Sequence, residues 1–184
     1  MTYNGGTPIV IPLPYSKHQK KDGLINGQAV FEFADAPFLF GTYANNGCGV
    51  IALYNAMQLL DKPQSLGKVE DEVFLNGGML AGGLMGTEPW FINDYFHSHG
   101  ITCTGYASFD KLNQHVEDGS IVVFLVLNNK ENLLDGLHFM TAQYSDNEYV
   151  IYNLYNNVTD PLERARLDSI DDDYAWTYGY IIGG

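Results

Sequence analysis

Positive charge is scarce in this chain: nine Lys and Arg stand against 22 Asp and Glu, for a formal net charge of −13. Phosphate recognition needs clustered Lys and Arg, so this balance argues against a nucleic-acid partner. It argues equally against an anionic membrane surface. A basic peptide would be attracted, although surface acidity also serves solubility alone. Cysteine is nearly absent. Cys48 and Cys103 are the only two, too few for a disulfide framework, and at 184 residues the chain can build a core without such staples. No run of about 18 apolar residues is present, so no membrane-spanning helix is expected. The first residues carry Pro and Gly where a secretory signal needs a basic region and an apolar stretch. The cytoplasm is therefore the default compartment, and secretion with the signal removed stays open. Metal-binding patterns are missing too. His97 and His99 are two apart on an expected helix and point to different faces. Asp171-Asp172-Asp173 lacks the Gly and Glu of a calcium loop and reads as a solvated turn. No metal and no cofactor are expected.

What is present is organised around Asn46-Gly47-Cys48-Gly49, a small polar turn that leads straight into the apolar run Val50 to Met57. One monomeric domain is expected over residues 1–184. Residues 1–40 read as an extended arm, because each Pro in Thr7 to Pro14 pushes its predecessor away from helix. Ala29 to Phe33 is a candidate short strand. Residues 41–118 read as mainly helical. Asn46 is a good N-cap for a helix from Gly47 to Leu60, Ser65 for one from Leu66 to Leu75, and Thr87 for one from Glu88 to Ser98. Ile101 to Tyr106 reads as a strand and Ser108 to Glu117 as a short helix. Residues 119–184 read as sheet. Ile121 to Leu127 is continuously apolar, as a central strand would be. Leu137 to Tyr144 and Glu148 to Tyr155 form a hairpin, and Tyr174 to Ile182 is a last strand. Helices first and an antiparallel sheet after them make an α+β chain rather than alternating βαβ units.

The chemistry centres on Cys48. A nucleophilic thiol needs a base within reach and donors for an oxyanion. Free N–H groups and the dipole at a helix start favour a thiolate, and Gly47 and Gly49 would leave the thiol uncrowded. The candidate base is His138, a polar residue entering an apolar strand. The candidate orienter is Asn153 on the partner strand, since a hairpin turning near Asp146 brings 138 and 153 close to opposite each other. Each residue has a bland reading, as a small buried hydrophobe or a satisfied structural side chain. Together they make a cysteine, histidine and asparagine set. Gly77, Gly78, Gly82 and Gly83 either connect two helices or line a substrate cleft with bare backbone.

Asn-Gly-Cys-Gly before an apolar helix resembles the cysteine segment of papain-like cysteine peptidases. Within that group it is most similar to the bacterial branch of bacteriocin-leader-processing, double-glycine peptidases. Gly86-Thr87-Glu88-Pro89 resembles that branch's Gly-Thr/Ser-x-Pro element. Leu112 to Gly119 followed by Ile121 to Val126 resembles its helix, glycine and strand step. His138-Phe139 and the strand to Asn153 resemble its histidine and Asp/Asn strands. The blocks share the family's order over residues 45–155. The resemblance implies a papain-like fold, a helical half packed on a sheet half. It implies thiol hydrolysis of a peptide or protein, with Cys48 attacking, His138 as base then acid, and Asn153 orienting the ring. The family's oxyanion glutamine, six residues before the cysteine, is replaced by Thr42. Asn45 or Asn46 is then the candidate side-chain donor. The usual Asp-Pro pair after the second strand is also missing, which makes Asn156 a second candidate orienter. Two other functions stay open: a non-catalytic peptide-binding protein on the same fold, and a thiol enzyme that passes the acyl group to an amine.

Overall fold

The apolar run 121–127 lies inside a sheet covered on both faces, which is why it shows no polar alternation. The computed structural model describes residues 23–38, 41–80, 86–127, 136–154, 163–165 and 175–183. A two-stranded ribbon, β1 (Pro37–Phe38) and β2 (Gly41–Thr42), leads into helices α1 (Tyr43–Asn46), α2 (Cys48–Leu59), α3 (Leu66–Leu75) and α4 (Phe91–Ser98). Strand β3 (Cys103–Tyr106) and helix α5 (Phe109–Asn113) follow. Then come β4 (Ile121–Leu127), β5 (Leu137–Ser145), β6 (Glu148–Tyr152), β7 (Glu163–Ala165) and β8 (Ala175–Ile182). Strands β3 to β8 form one antiparallel sheet in the order β3-β8-β4-β5-β6-β7.

Helix α2 is mostly apolar, with Cys48 to Met57 all buried. It shares a core with Val123, Leu125, Phe139 and Tyr180 on one face of the sheet. Thr141 of β5 ties the two layers by donating its hydroxyl to Ala52 O at 2.8 Å. The opposite face packs Val122, Phe124, Val126, Met140 and Tyr149 against Leu112 of α5. Packing rather than capping holds α2: its N-cap is Gly47, with no side-chain hydrogen bond, and Asn46 is the last residue of α1. Ser65 does cap α3, accepting from Lys68 N.

Several boundaries differ from expectation, each for a local reason. Residues 29–33 form turns, with Val30 N bonded to Gly27 O and Ala34 N to Phe31 O. Thr87 pairs with Met79 in a β-bridge instead of capping a helix. The turn after it opens with i→i−3 bonds, Phe91 N to Glu88 O and Ile92 N to Pro89 O, and α4 starts only at Phe91. The described part of β6 stops at Tyr152, because Asn153 turns to φ +63° and leaves the ladder. The extended run 7–14 and Asp171 to Asp173 lie outside the described residues.

Tyr43 of α1 donates its hydroxyl to Glu70 Oε2 of α3, and both side chains are fully buried. Desolvation lifts the Glu70 carboxyl to about 8, outweighing the tyrosine hydrogen bond that lowers it. The native state therefore keeps a proton that the unfolded chain releases near 4.5, and this stabilisation is lost as pH rises from 4.5 through about 8. Glu70→Gln keeps an oxygen for Tyr43 and removes the titration. Urea midpoints measured from pH 5 to 8.5 should fall more steeply for the wild type than for Glu70→Gln, and equal slopes would contradict this assignment.

Candidate active site

Cys48 is the first residue of α2, and its side chain is 9 % exposed. The backbone N–H groups of Phe139, Gly49 and Cys48 itself lie near the sulfur and lower the thiol pKa. Burial acts more strongly in the opposite direction, so the thiol stands above its ordinary 9.0 and is neutral at rest. The Phe139 contact places the sulfur one peptide unit from His138. A Cβ on Gly47 would meet Tyr43, and one on Gly49 would overlap Thr87. The two glycines let α1 and the Thr87 segment close onto the helix start.

His138 sits near the start of β5, 4 % exposed, opposite Val126 of β4. Pairing between β5 and β6 begins only at Thr141 and Tyr152, so residues 137–140 have β4 on one side and no β6 residue on the other. Asn153, turned out of the ladder, bonds the ring at this gap: its main-chain carbonyl lies 2.6 Å from His138 Nε2. A carbonyl only accepts, so Nε2 carries the proton and Nδ1 carries the free lone pair of a base. The expected orienter residue is thus in contact with the ring through its backbone. Its side chain faces Gln28 instead. The hairpin register accounts for the difference. Ser145 pairs with Glu148 and Thr141 with Tyr152, a register two residues off the one that would set 138 opposite 153, and the described strand ends before Asn153 is reached. Among the described residues no hydrogen bond joins the ring to the thiol. Asn156 lies outside the described residues.

The three oxyanion candidates fare differently. Thr42 ends β2 at the far end of α1, and Asn45 is exposed. The Asn46 amide is held against the Cα of Gly41, in space that a Cβ would fill. Among the cleft candidates, Gly77 and Gly78 terminate α3. Gly78 N bonds Val73 O at 2.7 Å and Gly77 N bonds Phe74 O at 3.3 Å, with Gly77 at φ +79°. Gly82 and Gly83 lie outside the described residues. Both cysteines are free thiols. Among the described residues no cluster of His, Cys, Asp or Glu is placed to hold a metal, and no helix is long and apolar enough to cross a membrane.

Sequence reasoning missed Gln28, Asn26 and Asn55, which surround the back of this site. Gln28 and Asn55 are buried amides in hydrogen-bonding positions, lying in irregular chain and in the middle of an apolar helix. The one available signal was Asn55 itself, an amide within the buried, mostly apolar stretch Cys48 to Met57.

The chain has the fold of the peptidase domain of Streptococcus ComA, a bi-functional ABC transporter of a quorum-sensing pathway. The two share a TM-score of 0.52 over 74% of this chain and 90% of that one, at 11% sequence identity. A double-glycine-motif protease from an AMS/PCAT transporter, solved with a leader peptide, aligns over 73% of this chain and 82% of its own at 12% identity, with a TM-score of 0.48. No protein-family model and no curated protein sequence matches the chain. The architecture is therefore that of a papain-like α+β peptidase domain.

Burial holds His138 below its ordinary 6.5, although the Asn153 carbonyl favours the protonated ring. A proton reaches the unfolded chain first as pH falls, so stability is lost from 6.5 down through the lower native value. Long-range ¹H–¹⁵N spectra at pH 6 should show His138 as a neutral Nε2–H imidazole. An Nδ1–H signature would contradict the geometry.

Proposed function

We propose that this chain is a cysteine peptidase acting on peptide or protein substrates, with Cys48 as nucleophile and His138 as base. The observation that supports it best is the sulfur's place on the Phe139 N–H, beside a histidine whose free nitrogen is Nδ1. Thiol and imidazole are both neutral at rest, so the proton moves during attack. The sulfur adds to the scissile carbonyl, its proton passes to Nδ1, and the carbonyl oxygen takes the charge. The C–N bond then breaks and Nδ1 returns the proton to the leaving amine. Water, deprotonated by the same nitrogen, cleaves the thioester. The Cys48 backbone N–H is the main-chain donor for the oxyanion in this reading. The resting ring and thiol meet when substrate closes the site, as catalytic contacts commonly tighten only then.

A second reading, a peptide-binding protein on the same fold, is favoured by one observation. No side-chain amide stands at position 42, and losing an oxyanion donor costs on the order of 10²–10³ in rate. A mixed peptide library incubated with the protein and read by mass spectrometry separates the two. Wild type should release cleaved products, Cys48→Ala none, and His138→Ala about 10²–10⁴-fold less. Peptide retention without cleavage would replace the peptidase reading with the binding one. Products carrying an added amine would identify a transferase.

A further inference from the structure

Residues 23–28 cross the back of the site as a strap, and its contacts fall on the elements that carry the two reactive side chains. Tyr54 of α2 donates to Gly23 O at 2.8 Å. Asn55, the next residue of α2, accepts from Ile25 N and donates to Ile25 O, both at 2.8 Å. Further along, Asn26 Oδ1 accepts from Asn153 N at 2.8 Å. Gln28 N donates to Asn153 Oδ1 at 2.9 Å, and Asn153 Nδ2 donates to Gln28 Oε1 at 3.2 Å. The remaining Gln28 Nε2 donates to Ala44 O of α1 at 2.8 Å. The strap therefore starts on the helix that bears Cys48 and ends on the residue whose carbonyl holds His138.

We propose that Gln28, assisted by Asn26, is a positioning residue that fixes the Asn153 main-chain carbonyl and through it the Nε2–H form and orientation of His138. The inference rests on the peptidase reading only in making His138 the base. Asn153 has left the β5–β6 ladder and sits at φ +63°, so the sheet no longer fixes its peptide plane. Three strap bonds, to its N–H, Oδ1 and Nδ2, do so instead. Position 28 needs a side chain that both accepts, from Asn153, and donates, to Ala44. Gln supplies both, whereas Glu lacks the donor and Leu lacks both. At 2 % exposure no water replaces what is removed. In this arrangement the side chain of Asn153 anchors the carbonyl and does not touch the ring.

The test reads His138 directly by long-range ¹H–¹⁵N spectra, alongside kcat and KM on a cleaved peptide. In Gln28→Ala and in Asn26→Ala the pure Nε2–H signature should give way to mixed tautomers. In both, kcat should fall about tenfold with KM unchanged. Asn26→Asp, which keeps the oxygen that accepts from Asn153 N, should restore both readouts. A pure Nε2–H signal in folded Gln28→Ala and Asn26→Ala would overturn the proposal. If Gln28→Ala does not fold, the half-buried Asn26→Ala decides. If the wild type cleaves no peptide, the peptidase reading fails, and the tautomer spectrum alone settles the role of the strap.

Discussion

The hydrogen bond between His138 Nε2 and the Asn153 carbonyl is the constraint on which the site depends. Because the acceptor is a carbonyl, the proton is confined to Nε2 and the basic lone pair to Nδ1. That outcome requires β6 to stop where it does. Asn153 turns left-handed one residue past Tyr152, presenting its carbonyl to a ring that has entered the sheet from the other strand. The same early stop leaves the first residues of β5 without a β6 neighbour, and there the Phe139 N–H meets the sulfur. One register and one left-handed residue therefore place both members of the proposed pair.

Burial is the second determinant, and it acts on the two groups in opposite directions. Desolvation raises the thiol pKa and lowers the imidazole pKa, so each is neutral. A neutral pair costs little to enclose, whereas a buried ion pair carries a heavy desolvation penalty. The amides around the pair follow the same logic. Gln28, Asn55 and Asn153 are each nearly fully buried, and each is satisfied by hydrogen bonds to backbone or to one another. The fold thus holds Cys48 and His138 in a buried, hydrogen-bonded setting, and under the proposed mechanism the proton transfer belongs to the substrate-bound state.

Much of the fold was legible in the sequence. Continuous apolarity marked β4, the Ser65 cap marked α3, and Gly-Cys-Gly before an apolar run marked the start of α2. Boundaries set by tertiary contacts were not. Nothing local distinguishes Asn46 from an N-cap, since it is packing against Tyr43 and Thr87 that makes Gly47 the helix start. A histidine and an asparagine on facing strands could be placed near each other by the polar turn between them. The contact through main chain rather than side chain was invisible, because it depends on a two-residue difference in strand register and on the left-handed turn at Asn153. The strap was least visible, since its polar partners lie 16 to 127 positions away and leave no periodic trace.

The central claim is that Cys48 is a nucleophile activated by His138. It is tested most directly by treating the folded protein with a peptide carrying a carbonyl-position electrophile and mapping the adduct by mass spectrometry. The account predicts a single thioether or hemithioacetal on Cys48, none on Cys103, and much slower labelling in His138→Ala. Equal labelling of the two cysteines, or labelling of Cys48 at the same rate without the histidine, would contradict it.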